Sequence, residues 1–401
     1  MESMDSAFMI LSVLLVWVMT PGIAIYYGGF IPAKDRTKML LEIFLMFGVV
    51  GLLWFTIGYP LSFLGNNFGI IGDIKHIFLG GYSLTALYPN TKISNSIFIL
   101  FQMMFAILTP GLFLGSIASK KSTKYIVAFV AIWSLLVYYP MVHMVWSSTG
   151  FLAKLGVLDF AGGTVIHIDA GVTALILSTF AVSKHKETDD GTHGNAFWVL
   201  LGTVLLWIGW YGFNAGSALA LSAQGIQAFF TTTMAPVAAM ITYALLEDHF
   251  KKQISMNGIC TGVICGLVGI TPATGFVTLP ASLIIGLISA AGSYLFINVL
   301  KQKWHVHDYL DIFGSHGVSG IIGSLATGLF ATKSINPAVV NNGLLEGGGF
   351  KQFGLQAFAV VFAFAFIFVM NFIIVKVLKK VFKESSSRSH IHHDVLGHVH
   401  A

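Results

Sequence analysis

Apolar and polar positions in this chain segregate over long stretches rather than alternating residue by residue. Eleven mainly apolar stretches are separated by short polar segments. Each has the length of roughly 20 residues that a helix needs to cross a bilayer. The pattern predicts spanning helices over 7–31, 39–64, 96–118, 125–146, 160–182, 196–219, 226–246, 257–276, 277–299, 312–331 and 353–378. The division between the eighth and ninth rests on one turn signal, Thr271-Pro-Ala-Thr-Gly275. The expected fold is an all-α membrane protein.

Charge orients the spans. Alternate loops carry Lys34, Arg36 and Lys38; Lys120, Lys121 and Lys124; Lys184 and Lys186; Lys251 and Lys252; Lys301 and Lys303. With Lys376, Lys379, Lys380, Lys383 and Arg388 they hold 17 of the 22 basic residues, against Lys75, Lys92, Lys154, Lys333 and Lys351 on the other side. Cytoplasmic loops carry the basic excess, so the N-terminus is expected outside and the C-terminus in the cytoplasm. An odd number of spans requires such opposite ends.

Composition narrows the class. Charged residues are 10% and apolar types 56%, where soluble domains carry ~25% charge. Mean hydropathy is +0.81. The 43 glycines suit helices that pack closely through small residues. The basic balance, pI near 9.0, belongs to loops and topology, so no nucleic-acid partner is expected; the partner surface is the lipid bilayer. The acidic start, Met-Glu-Ser-Met-Asp, lacks the positive region of a secretory signal, so the first span is expected to be retained. Cys260 and Cys265 lie in an apolar stretch and read as buried free thiols.

Two stretches stand out. Asp159, His167 and Gly171 are spaced as Asp, seven residues, His, three residues, Gly, and Asp308, His316 and Gly320 repeat that spacing. Ionisable groups inside apolar spans are costly and default to function. Five spans per half place two such halves in inverted orientation, about 7–182 and 196–331, followed by a last span. Eight residues of helix put each histidine ~12 Å deep from its own face, so the two imidazoles approach the middle of a ~30 Å core. Three readings fit: a shared pair, two separate histidines each bonded to a backbone carbonyl, or a metal site. The repeat favours the shared pair, and the lack of further ligands at helical spacing disfavours metal. Aromatic residues around Phe101–Phe105, Tyr138–Trp146 and Trp210–Phe213 could hold a cation before it loses its water, or simply pack.

With these residues the chain resembles the ammonium transporter/methylammonium permease/Rh family over nearly all of 1–383. The matching pieces include Tyr27 with its flanking glycines, Phe101-Gln-Met-Met-Phe105, His143-Met-Val-Trp146, Asp159 to His167, Gly209 to Ser217, Gly269-Ile-Thr-Pro272 and Asp311 to His316. Trp146 favours the ammonium-transporter branch. The resemblance implies an outer recruitment site of Phe105, Trp146 and Ser217, backed by Asp159. It implies a gate of Phe105 and Phe213, a His167–His316 pair in an apolar pore, and further pore positions at Tyr27, Tyr138, Trp210, Thr271 and Ile312. It also implies a homotrimer with one pore per subunit and a cytoplasmic tail that meets a PII-type regulator. Ammonium, with methylammonium as analogue, would be deprotonated and cross as ammonia. No enzymatic step, cofactor or metal is expected.

The chain departs from the family pattern in three places. Asp169 replaces a small polar residue, Ala33-Lys-Asp35 follows the first span, and the tail keeps only Asp394 and His398 of the usual ending. The tail over 384–401 also holds His390, His392, His393 and His400. An ammonium sensor signalling through that tail and an Rh-like ammonia channel are the alternative readings; a membrane metalloenzyme is a third. Asp159 is further expected to cap the fifth span, so that asparagine there would keep the cap and remove the charge. Asp169, two residues past His167, is expected to face away from the pore.

Overall fold

The computed structural model describes residues 2–118, 120–182 and 194–382. The histidine-rich tail expected over 384–401 lies outside them. Among the described residues β-structure is limited to two isolated bridges, Asn67 with Ile71 and Leu87 with Ser94. The rest is helix and connecting turn. In chain order the long elements are α1 (Met4–Gly28), α2 (Ala33–Phe63), α3 (Asn95–Leu114), α4 (123–146), α5 (Gly163–Ala181), α6 (Ala196–Gly216), α7 (Ala223–Lys251), α8 (Met256–Ile270), α9 (Leu279–Lys303), α10 (Tyr309–Phe330) and α11 (Phe350–Val381).

All but α8 are long and apolar enough to cross a membrane. The stretch 257–276 was expected to span as helix, but α8 has 15 residues and covers only ~22 Å at 1.5 Å per residue. Beyond Ile270 the chain turns without helix while residues 271–277 remain buried. Irregular backbone at such depth is tolerated where protein satisfies it. Here Pro272 O accepts the Phe160 N–H (3.0 Å), Phe276 O the Thr332 N–H (2.9 Å) and Gly275 O the Asn336 amide (3.2 Å).

Sequence sets the helix starts. Ser122, Asn195, Ser222, Ser255 and Thr278 each accept a backbone N–H from the first turn of the helix that follows, which satisfies donors that have no intrahelical partner. Proline shapes two interiors. Wide π-turns at Trp54–Gly58 and Ser134–Tyr138 stand just before Pro60 and Pro140, whose rings lack an N–H and crowd the carbonyl a turn earlier. The most exposed spans are α2 and α7, whereas α3, α5 and α10 are mostly enclosed. Large apolar side chains such as Leu52, Leu245 and Val361 point outward, as a lipid-facing surface requires.

The centre is built by α5 and α10. Both carry a π-turn, Gly163–Ile168 and Phe313–Val318, and each turn holds one histidine. A continuous helix from Asp159 was expected. Instead α5 begins at Gly163, so the depth of His167 follows from a wide turn near the helix start and not from eight residues of α-rise. The approach of the two helices is reciprocal. A methyl group on Gly171 would collide with the backbone of Gly317, the residue after His316. One on Gly320 would stand 3.1 Å from His167 Cβ and 3.2 Å from Gly163 O.

This contact yields an ordering of substitutions. Gly171→Ala must displace backbone and should cost about 1–3 kcal/mol, the range for an overpacked core. Gly320→Ala meets only a tight side-chain and carbonyl contact and should cost less. Thermal denaturation in detergent checks this: the Gly171 variant should melt below the Gly320 variant.

Candidate functional site

A continuous string of rings runs from a half-buried surface position into the centre of the bundle. Trp146, at the end of α4, is partly exposed, and its ring meets Phe105 of α3 edge-on at 5.9 Å. Phe105 lies 4.4 Å from Phe213 of α6 at 34°. Phe213 lies 5.8 Å from His167, which also stacks on Trp210 at 5.4 Å and 16°. His167 in turn stacks on His316 at 5.5 Å and 21°. From Phe105 inward every member is buried. The loss of exposure thus falls in one step, between Trp146 and Phe105.

The last pair is joined through like nitrogens. His316 Nδ1 and His167 Nδ1 are 3.4 Å apart. One neutral imidazole must donate and the other accept for that contact to be a hydrogen bond. Among the described residues neither Nε2 has a protein partner. His143, by contrast, is a membrane histidine of the bland kind: its Nδ1 faces Ser62 O at 3.1 Å and its Nε2 the Thr149 hydroxyl at 3.3 Å.

Hydrogen bonds fix the surrounding rings. Trp146 Nε1 donates to the backbone oxygen of Asp159 (2.9 Å). Trp210 Nε1 donates to the Thr271 hydroxyl (2.9 Å), which itself donates to Leu267 O (2.7 Å). The Ser217 hydroxyl spends its proton on Phe213 O (2.9 Å), so its remaining capacity is as an acceptor.

Asp159 is buried and heavily bonded. Oδ1 accepts the Gly162 N–H (2.9 Å) and the Gly163 N–H (2.5 Å). Oδ2 accepts the N–H groups of Thr164 (2.9 Å) and Val165 (3.4 Å) and the Thr164 hydroxyl. Both oxygens are thus acceptors. Asparagine would turn an NH₂ group toward N–H donors, so it would not preserve the cap, contrary to the expectation from sequence. Asp308 repeats the arrangement more sparsely, accepting the N–H groups of Phe313 (3.0 Å) and Gly314 (2.9 Å). Burial first, and the Asp311 carboxylate second, push the Asp308 carboxyl up to about 7, against the pull of Lys301 and those N–H groups.

The other expected pore residues divide. Tyr27 and Leu310 both lie against Gly115, and Leu310 stands two residues before Ile312; the Tyr27 hydroxyl donates to Leu112 O (2.6 Å). Ile312 is buried. Tyr138 instead stacks on Trp133 (5.6 Å) and meets Tyr139 (6.1 Å).

The Ammonium Transporter Family model matches residues 7–399. This chain belongs to the ammonium transporter family. It is 40% identical over 338 residues to an ammonium transporter of Bacillus subtilis (strain 168), covering 84% of this chain and 83% of the relative. It is likewise 40% identical over 352 residues to a putative ammonium transporter of Methanothermobacter thermautotrophicus, covering 86% and 85%. The crystal structure of Saccharomyces cerevisiae Mep2 superposes with a TM-score of 0.86 at 29% identity, covering 94% of this chain and 88% of that one. A sensor Amt protein superposes at 0.85 and 29%, covering 95% and 94%. The function is transport of ammonium across a membrane.

In this ammonium transporter Asp169 lies inside helix packing. Its Oδ1 accepts the Thr173 hydroxyl (3.2 Å), and the Thr173 Oγ1 in turn accepts from Trp133 Nε1 (3.2 Å) and Asn371 Nδ2 (3.0 Å). Asp169, Thr173, Trp133 and Asn371 thus join α5, α4 and α11. Sequence reading missed Asn371, Gln352 and Gln356, although polar side chains within the apolar α11 were a visible signal.

The Asp159 bonds generate a test. Thr164→Val removes one bond and leaves the charge, while Asp159→Asn removes the charge and spoils half the cap. If the charge matters, Thr164→Val should retain most methylammonium uptake with a stability loss of about 1 kcal/mol, and Asp159→Asn should lose most uptake. Equal loss in two variants of equal membrane abundance would assign the effect to the cap alone.

Proposed function

We propose that this ammonium transporter recruits the cation at an outer site, removes a proton, and passes ammonia through a pore lined by His167 and His316. The carrying observation is the 3.4 Å Nδ1–Nδ1 contact lying beneath the Phe105–Phe213 pair. Ammonium would be held against the π-face of Trp146 and beside Phe105, with the Ser217 oxygen as acceptor. Cations bind such faces by about 0.5–2 kcal/mol, more as water is removed. Asp159 acts there through its field, because its oxygens are occupied by the α5 cap.

Below the two phenylalanines a bare ion has no compensating charge, and burying one is costly. Loss of a proton, which returns to outside water or follows along the histidine pair, removes that cost. Ammonia both donates and accepts, and the histidine pair would offer both functions. If one Nδ1 carries the shared proton, its own Nε2 is an acceptor and the other ring's Nε2 is a donor. Exchange of the two roles with both rings neutral requires the Nδ1 proton to cross to the second ring while that ring gives up its Nε2 proton and the first ring gains one at Nε2. Potassium and sodium have no proton to lose and meet the full dehydration cost.

In the same reading two inverted repeats, about 7–182 and 196–331, make up the 1–383 membrane domain. The N-terminus is outside, and the tail over 384–401 is cytoplasmic. Three copies assemble with one pore each, and the tail is the place for a PII-type regulator. A sensing role is a second reading, favoured by the likeness to a sensor Amt protein.

Replacing His167 or His316 with Ala in proteoliposomes tests the mechanism. Both variants should assemble, and selective methylammonium transport should fall by about 100-fold or more, equivalent to about 2.7 kcal/mol. Wild-type selectivity and rate in both would refute the proposed role of the pair. A wild-type protein that binds ammonium but transports none would favour the sensor.

A further inference from the structure

The loop that carries Asp159 is held from two sides, and one of them is a pair of glutamines on the last helix, of which Gln356 grips the residue before Asp159. On α11, Gln352 and Gln356 stand one turn apart and are 0% and 1% exposed. Gln356 Oε1 accepts the Leu158 N–H at 2.8 Å, while its Nε2 donates to the Leu158 carbonyl at 2.7 Å. The side-chain amide thereby pairs with the residue before Asp159 much as a neighbouring β-strand would. The same Nε2 also donates to Ser324 O at 3.2 Å, on α10 two turns beyond His316. Gln352 Nε2 completes the set, donating to Gln356 Oε1 (3.3 Å) and to Gly156 O (3.0 Å). All four hydrogen-bonding positions of the Gln356 amide are used.

On the other side of this peptide, Phe160 N–H donates to Pro272 O at 3.0 Å, and Asp159 O receives the Trp146 indole at 2.9 Å. Trp146 therefore takes its position from the Asp159 carbonyl, and that carbonyl takes its position from a loop clamped at Leu158. The clamp also ends on the helix of His316. We infer that Gln356 is a positioning residue of the cation site: it sets where Asp159 and Trp146 stand relative to the Phe105–Phe213 pair. This rests on the reading of that site as the place of ammonium recruitment. Glutamine is suited to the task because an amide alone offers a donor and an acceptor side by side. Small displacements matter, since misplacement by about 1 Å can cost 100-fold where geometry is used.

Methylammonium uptake into proteoliposomes, measured over concentration, separates positioning from mere stability. Gln356→Met fills the space and offers no amide. Its half-saturation concentration should rise about tenfold, equivalent to about 1.4 kcal/mol, with the maximal rate within about twofold of wild type. Asn371→Leu, which removes a buried amide from the same helix far from the Asp159 loop, should lower thermal stability and leave half-saturation unchanged. Trp146→Leu serves as the control on the site itself. If Trp146→Leu raises half-saturation and Gln356→Met does not, the inference fails while the recruitment reading stands. If neither raises it, the recruitment reading fails and the inference with it. Should Gln356→Met not assemble, Gln356→Glu keeps the length and the acceptor for the Leu158 N–H but loses both donated bonds. The same rise is expected, and unchanged half-saturation in that variant overturns the inference.

Discussion

Everything in the centre of this transporter depends on how close α5 and α10 can come. Their backbones meet where Gly171 lies on Gly317 and Gly320 lies against His167. Side chains larger than hydrogen would force the helices apart and with them the two imidazoles. The wide turns Gly163–Ile168 and Phe313–Val318 then aim one ring from each helix across the gap. Such turns leave early N–H groups without helical partners, and the carboxylates of Asp159 and Asp308 receive them. Acid, wide turn, histidine and glycine form one structural unit used twice.

That unit sits at the inner end of a string of rings that begins at half-buried Trp146. Trp146 still touches solvent, whereas Phe105, Phe213, His167 and His316 do not. A cation can gain from the first ring by its π-face and loses that gain against dehydration further in. A substrate able to shed its charge as a proton is the natural occupant of such a path, in keeping with the ammonium transport of the family. The hydrogen bonds from Trp210 to Thr271 and from Trp146 to Asp159 O keep the rings from collapsing onto one another.

Much of this was visible in the chain because membrane burial leaves little freedom in sequence. Long apolar stretches revealed the spans, and the doubled Asp, His and Gly spacing revealed the repeated acid and histidine. Spacing alone did not reveal that α5 starts at Gly163, because a wide turn and an α-turn share the same apolar residues. The early end of α8 at Ile270 was hidden for a similar reason: residues 271–277 are as buried as helix would be. Asp159 was legible as a cap, but that both its oxygens accept depends on the fold around it. Gln356 was legible as a polar residue in an apolar helix and not as a clamp, since its partner at Leu158 is 198 residues away.

The central claim is that His167 and His316 share one proton between their Nδ1 atoms. Nitrogen-15 NMR of histidine-labelled protein in lipid bilayers reads it most directly. The account predicts opposite tautomers, one ring protonated at Nδ1 and the other at Nε2, with a coupling across the Nδ1–Nδ1 hydrogen bond. Two rings both protonated at Nε2, with no such coupling, would contradict it.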